Sequence, residues 1–186
     1  FKGQALFKKA QFYGSAIFSA AHFHEGTTFE EAEFHGEANF AVTTFDGELV
    51  FDITKFKAGV RFNRASFDAL TSFFGAEFSN QNSKHDIDFS NCNSAAPVTF
   101  RKAVFSVCFP VFAGTLMHDQ TAFTADAAYW PSTVNQNFEE AREACAAIRH
   151  VIDRQGFRED AHFFFRCEMA FSSRTGTMLQ RFPYIL

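Results

Sequence analysis

Apolar positions in the first half of the chain follow a spacing that neither a helix nor an extended strand produces. Phe1, Phe7, Phe12, Phe18, Phe23, Phe29, Phe34, Phe40, Phe45, Phe51, Phe56, Phe62, Phe67, Phe73 and Phe78 stand at alternating steps of six and five residues. A helix would repeat its apolar face at three and four, a strand at two. The position two before each ring obeys a second rule. It holds Ala5, Ala10, Ala16, Ala21, Thr27, Ala32, Ala38, Thr43, Leu49, Thr54, Val60, Ala65, Thr71 and Ala76, small or β-branched everywhere except at Leu49. Short strands that each send one ring inward, wound into a coil, satisfy both rules, so the pattern predicts a solenoid.

The alternation closes after 22 residues and sorts the rings into four columns, which implies a four-sided coil. Phe7, Phe29, Phe51 and Phe73 form one column, and Phe12, Phe34, Phe56, Phe78 and Phe100 a second. Phe18, Phe40 and Phe62 make the third; Phe1, Phe23, Phe45, Phe67 and Phe89 make the fourth. Stacked at the interstrand distance, residues 1 to about 128 give about six coils and a rod of roughly 28 Å. Outward positions test the register. Glu33, Lys55 and Glu77 would stack with alternating sign, which favours it, whereas Asp46 over Asp68 places like charges together. Beyond Phe78 the ladder weakens: Lys84 and Ala95 fall where rings are expected, and Asn80-Gln81-Asn82-Ser83-Lys84-His85-Asp86 is as polar as a loop. Phe105, Phe112, Met117 and Phe123 carry a looser version onward.

After Tyr129-Trp130-Pro131 the period changes. Phe138, Ala141, Cys145, Ile148 and Ile152 recur at three and four, predicting an amphipathic helix with Asn135 or Asn137 as N-cap, Glu139 and Glu140 in its first turn and Gly156 as its stop. A second helix is expected from about Phe157 to Ser172, with Ala161, Phe164 and Phe171 on its apolar face. The expected organisation is therefore a solenoid over residues 1–130 and a helical cap or linker over 131–186. The helices should bury Phe138, Ile148, Ile152, Phe157 and Phe164 against the last coils around Phe105, Phe112 and Phe123, because an open solenoid end exposes rings and unpaired backbone.

Charge changes this picture little. The 186 residues carry a formal net charge of −4, without the basic excess of a nucleic-acid binder. The distribution is uneven: Glu25, Glu30, Glu31, Glu33, Glu37, Asp46, Glu48 and Asp52 occur in a stretch, residues 10–54, that lacks Lys and Arg. Cys92, Cys108, Cys145 and Cys167 show no C-x-x-C spacing, so neither a zinc knuckle nor a disulfide framework is indicated and a reducing compartment is expected. The chain shows no signal peptide or long apolar run, and it opens on Phe1, already in ladder register, which reads as a fragment lacking its N-terminal cap.

The A-x-F, T-x-F and V-x-F steps, followed by Gly or Asn as in Phe34-His35-Gly36, Phe45-Asp46-Gly47 and Phe78-Ser79-Asn80, resemble bacterial pentapeptide-repeat proteins of the Phe-rich kind over residues 1 to about 125. The resemblance implies a mainly β fold, a right-handed quadrilateral β-helix with the central aromatic inward, followed here by a C-terminal α-helical hairpin. Ile148-Arg149, Gln155-Gly156, Ala161, Phe164, Glu168 and Met169 are similar to a helical segment that follows such repeats in some bacterial proteins and leads into membrane-spanning helices. The resemblance also implies a second role, since some members of the family mimic nucleic acid with rows of carboxylates and occupy DNA topoisomerases.

Catalytic chemistry has no obvious seat. Stacked rings leave no room for an internal small-molecule pocket, and no G-x-S-x-G, G-x-x-x-x-G-K-[ST] or G-x-G-x-x-G motif occurs, so neither an enzyme nor a cofactor is expected. His22 and His24 flank Phe23 and point outward with Asp46 one coil on. Two imidazoles and a carboxylate suit a divalent ion, but a fourth ligand is not apparent and exposed polar decoration accounts for them, so the expectation is no metal and no response to zinc. The reading is a non-enzymatic scaffold, the cytoplasmic module of a larger bacterial protein, held at a membrane only through segments outside these residues. It would bind a protein partner, or self-associate as a homo-oligomer, without contacting nucleic acid directly. The alternative is a nucleic-acid mimic that binds a topoisomerase, against which Lys55, Lys57, Arg61 and Arg64 interrupt the acidic surface.

Overall fold

The structure, a computed structural model, describes residues 1–79, 87–131 and 137–175. The polar run 80–86 with Lys84, the alternative N-cap Asn135 and the apolar end 181–186 lie outside the described residues. The chain forms a β-solenoid of about five turns, then two helices. Successive turns contribute short strands to four parallel sheets, and the last coil reaches the third and fourth only through the single bridges Asp88 to Val111 and Asn93 to Leu116. The first face contains Ala5–Leu6, Thr27–Thr28, Leu49–Val50, Thr71–Ser72, Val98–Phe100 and Ala122–Phe123; the second runs from Gln11–Phe12 to Val104–Phe105. The third runs from Ala16–Ile17 to Ile87–Asp88, and the fourth from His22–Phe23 to Asn93–Ser94.

Strands this short cannot persist on local propensity, and they are held by the coils above and below. Phe29 N–H donates to the Val50 carbonyl at 2.7 Å and Phe51 N–H to that of Ser72 at 2.7 Å, one coil to the next. Inside, each ring lies flat on the ring one coil away: Phe29 on Phe51 at 4.8 Å and 4°, Phe40 on Phe62 at 4.9 Å and 6°. Rings of the first and third faces meet edge to face, as Phe51 and Phe62 do at 5.5 Å and 83°. Offset stacks and T-shaped contacts are the favoured aromatic geometries, each adding about 0.5–1.5 kcal/mol beyond burial.

The corners explain why steps alternate between five and six. After each ring of the first and third faces the chain makes a tight four-residue turn, in which Ala10 N–H donates back to the Phe7 carbonyl and Ala32 N–H to that of Phe29. The third residue of each such turn has positive φ: Lys9, Ala20, Glu31, Val42, Ile53, Arg64, Gly75, Asn91, Lys102 and Gly114. The other two corners take one residue more. There, successive coils approach backbone to backbone, and a Cβ on Gly47 would lie 2.4 Å from the Glu25 carbonyl carbon.

The residue two before each ring also points in, which limits its size. At Thr54 and Thr43 the hydroxyl finds a backbone acceptor, Thr54 Oγ1 donating to the Phe29 carbonyl at 2.7 Å and Thr43 Oγ1 to that of Phe18 at 2.9 Å, whereas the buried Thr121 Oγ1 of the last coil has no hydrogen-bond partner among the described residues. Cys92 holds the equivalent place, its thiol 3.0 Å from the Phe62 carbonyl. Burial pushes that thiol up to about 12, so Cys92 is a packing residue.

Two expectations about the later coils need correction. Phe89 stacks on Phe62 at 4.9 Å, in the third column rather than the fourth, and Phe100 on Phe73 at 5.0 Å, in the first rather than the second. Phe62 to Phe89, Phe73 to Phe100 and Phe78 to Phe105 are each 27 residues apart, so this coil is five residues longer than its neighbours. Five residues is also the length of one side, which made the insertion look like an uninterrupted ladder. The solenoid has about five turns where counting gave about six.

The helices are α1, Phe138–Arg154, and α2, Arg158–Thr175. Asn137 caps α1 through its side chain, which accepts from Glu139 N–H at 3.0 Å, and Gly156 turns the chain at φ 82°. Ala141, Ala144, Cys145, Ile148 and Ile152 of α1 and Ala161, Phe164 and Phe171 of α2 belong to the same hydrophobic cluster as the coil rings. Trp130 continues the second column, stacking on Phe105 at 4.9 Å, and meets Phe164 edge-on at 5.1 Å. Arg154 pairs with Asp119 at 2.8 Å and Gln155 donates to the Thr121 carbonyl at 2.8 Å, tying the hairpin turn to the last coil. Phe157 departs from expectation: it is 53% exposed, because the Gly156 turn carries it outside before α2 begins.

Two stability predictions follow from this packing. Phe51→Ala should cost about 3–5 kcal/mol and Lys57→Ala no more than about 0.5 kcal/mol, and equal small losses in chemical denaturation would contradict a ring-filled interior. Deleting everything after Pro131 uncovers Trp130, Phe109 and Phe123, which Phe164 and Phe171 of α2 otherwise cover, so the shortened chain should oligomerise or aggregate where the longer one does not. Light scattering on the two would show an independent helical module if the shortened rod stayed monomeric and equally stable.

Candidate functional site

Because rings fill the coils, reactive side chains are confined to the outer ladders, and the register decides which of them meet. On the second face Lys55 lies between Glu33 and Glu77 in the parallel ladder. Glu33 accepts from Lys57 Nζ at 2.6 Å and from Lys55 Nζ at 3.3 Å. Those two hydrogen bonds, Lys57 first, hold the Glu33 carboxyl below its ordinary value of 4.5.

Other acids of the expected acidic stretch are also paired. Lys8 reaches Glu30 at 2.7 Å and Lys9 reaches Glu31 at 3.4 Å, each one coil away, while Arg61 reaches Glu37 at 3.2 Å. Sequence reasoning missed the Lys8 and Lys9 pairs. Their signal was present in the same 22-residue spacing that joined Glu33 to Lys55.

His22, His24 and Asp46 come together on the fourth face. His22 and His24 flank the inward Phe23, so both imidazoles leave the same side of the strand. Asp46 stands one coil beyond His24 because its N–H donates to the Phe23 carbonyl at 2.9 Å. Asp46 Oδ2 is 2.8 Å from His22 Nε2 and 2.9 Å from His24 Nδ1. The hydrogen bond from His22, then that from His24, holds the Asp46 carboxyl below its ordinary 3.8 against a partial desolvation that acts the other way.

A second arrangement ties the helices together. Arg149 Nε of α1 donates to Glu168 Oε2 of α2 at 2.9 Å, and Glu168 is buried. Cys145 is buried and hydrogen-bonded to Cys167, both of which raise its thiol above the ordinary range. None of the four cysteines, all of them among the described residues, is in a disulfide. A shallow groove of about 230 Å³ lies at Arg149, lined also by Asp153, Arg158, Ala161, His162 and Phe165. Among the described residues no helix is long and apolar enough to cross a membrane.

The family model for pentapeptide repeats, nine copies long, matches residues 7–52. Residues 7–52 are thus similar to pentapeptide repeats, here rich in Phe, and the same four-sided coil continues beyond the matched segment to Phe123, ahead of the two C-terminal helices. No curated protein and no solved structure matches it. The family supports a structural or interaction scaffold.

The Glu33 cluster makes the rod's acid stability depend on pH in a defined direction. A carboxyl whose folded value is depressed contributes fully above its ordinary value, and the contribution fades as pH falls through the folded one. Glu33→Gln should therefore lose less stability than the parent between about pH 6 and about pH 3, as read from denaturation midpoints. Parallel profiles for the two would show that the Lys55 and Lys57 contacts have no thermodynamic weight.

Proposed function

We propose that the chain is a non-enzymatic interaction scaffold. In this reading residues 1–130 form a rigid spacer, and residues 131–186 join it to the rest of a larger bacterial protein in the cytoplasm or at the cytoplasmic face of a membrane. The observation that carries this is the filled interior: Phe29, Phe34, Phe40, Phe51, Phe62 and Phe73 are fully buried against one another, which leaves surfaces rather than a pocket for recognition. Ladder positions on those surfaces are fixed by backbone hydrogen bonds, so a partner would meet them without an ordering cost.

The first face is the best suited of the four to a protein partner. Its outward ladder runs Leu6, Thr28, Val50, Ser72 and Thr99, without a charge, and Leu6 is 69% exposed. The second face by contrast carries Glu33, Lys55 and Glu77. Uncharged β surface can be desolvated at lower cost than charged surface, which is what the core of a protein interface requires. Against the nucleic-acid-mimic alternative stand the ion pairs: Glu30, Glu31, Glu33 and Glu37 each have a Lys or Arg partner, so they do not present the free anionic row that a phosphate backbone would.

Placing two charges on the first face with Leu6→Lys and Val50→Lys, two coils apart and so not opposite each other, tests the reading. Melting should change little, since both positions are at the surface, while the proteins that co-purify with the parent from its own cells should be lost. The parent should also leave topoisomerase-catalysed supercoiling and relaxation unchanged. Inhibition of a topoisomerase, or undiminished co-purification with the double variant, would overturn it.

A further inference from the structure

We propose that His22, His24 and Asp46 form a binding site for a divalent transition-metal ion, of which zinc is the best match. Spacing alone supplied three donors and no reason for them to converge. In the structure one donor atom from each lies within 4.8 Å of the others, a grouping found among the described residues only here. Ligands around tetrahedral zinc, with bonds of about 2.0–2.1 Å, stand roughly 3.3 Å apart. His22 Nε2 and His24 Nδ1 stand 2.8 and 2.9 Å from Asp46 Oδ2, a small outward adjustment away.

The backbone holds these positions before any ion arrives. Thr44 N–H donates to the Ala21 carbonyl at 3.0 Å, Asp46 N–H to the Phe23 carbonyl and His24 N–H to the Phe1 carbonyl at 3.1 Å. Phe23 between the two histidines is buried and stacked between Phe1 and Phe45, so the strand cannot rotate its imidazoles apart. Without an ion the arrangement is crowded. Two imidazole rings sit 3.8 Å apart, and both must aim an N–H at the same carboxylate.

A metal ion resolves that competition. Each histidine, neutral, turns a lone pair toward the ion from the nitrogen now facing Asp46 and keeps its proton on the other ring nitrogen. The surrounding charge favours a cation as well. Asp68 lies one coil beyond Asp46 in the same ladder, its N–H donating to the Phe45 carbonyl at 3.0 Å, so like charges that opposed the register are adjacent to the site. Two imidazoles with one carboxylate suit zinc and its neighbours rather than magnesium or calcium, which take oxygen ligands. With the three side chains 38–48% exposed, the remaining coordination is left to water.

Isothermal titration of the purified chain with zinc tests this, with thermal melting in parallel. One zinc should bind per chain and raise the melting temperature by mass action, and magnesium should do neither. Outer-shell partners of a metal site alone are worth about 10–100-fold in affinity, so His24→Ala and Asp46→Asn should each weaken binding by about tenfold or more. His35→Ala, on the second face, should leave it unchanged. All these residues are at the surface, so the variants should fold, and the melting curve without zinc checks that directly. Absence of saturable binding to the parent, or binding unaltered in the His22→Ala, His24→Ala double variant, would overturn the site and leave an exposed hydrogen-bonded cluster.

Discussion

Everything in this protein depends on parallel, in-register stacking of one coil on the next. A two-residue strand has too few hydrogen bonds to exist alone, and a single coil would expose four rings. Adding a neighbour satisfies the backbone on one side and covers the rings from that side at once. The two gains arrive together because the same register that joins Phe51 N–H to the Ser72 carbonyl lays Phe51 on Phe73, 5.1 Å away and 2° from parallel. Stability therefore accrues by the coil, and each end of the rod is a place where the gain stops. At the C-terminal end Trp130, α1 and α2 supply the missing cover, with the indole occupying the position of a further ring.

The same register governs the exterior, where it acts as a rule of adjacency. Residues 22 apart become neighbours whatever their identity, so a favourable ladder such as Glu33, Lys55 and Glu77 and an unfavourable one such as Asp46 and Asp68 are equally enforced. Surface ion pairs of this kind contribute little individually, about 0–1 kcal/mol, and could not set the register by themselves. Their importance is for recognition, because the rod displays side chains at fixed separations that a flexible surface could not maintain. The His22, His24 and Asp46 convergence is one result of that rule and the uncharged first face another.

Much of this was legible from Phe positions alone, because a period of 22 with two rings every 11 residues has few structural solutions. The ring columns, the inward small residues and the Glu33 ladder all follow from counting. Counting fails where a change in length equals the period being counted. The extra five residues in the coil between Phe62 and Phe89 left Phe89 and Phe100 on expected numbers while moving each to a different face. Phe157 failed for a different reason: its place beside an apolar helix face argued for burial, but the turn at Gly156 determines its direction. The helix hairpin was readable from the three-and-four spacing of Phe138, Ala141, Cys145, Ile148 and Ile152 with Gly156 as a stop, and Arg149, Glu168, Ala161 and Phe164 close α1 and α2 on each other and on the last coil. The convergence at Asp46 was readable only in part, since spacing places side chains on one face without saying that their nitrogens point at one oxygen.

The tight corners show how far stacking overrides local preference. Positive φ costs a residue with a Cβ roughly 1–2 kcal/mol, and β-branched side chains tolerate it least. Val42 and Ile53 nevertheless adopt φ of 60° and 57°, both half-exposed and with little burial to compensate them locally. The compensation lies elsewhere. Each coil has two such corners and four rings, and a buried Phe contributes about 1.5–3 kcal/mol of transfer free energy before conformational entropy is counted. Two rings thus set about 3–6 kcal/mol against one corner's 1–2, and the corner conformation is imposed even on residues that would avoid it. Glycine at Gly75 meets the same geometry without strain, whereas Gly47 is required for another reason, the close passage of backbone over backbone. Corner identity is consequently free to vary on the five-residue sides and constrained by contact on the six-residue sides, which is why a ladder so regular in its rings is so irregular in the residues between them.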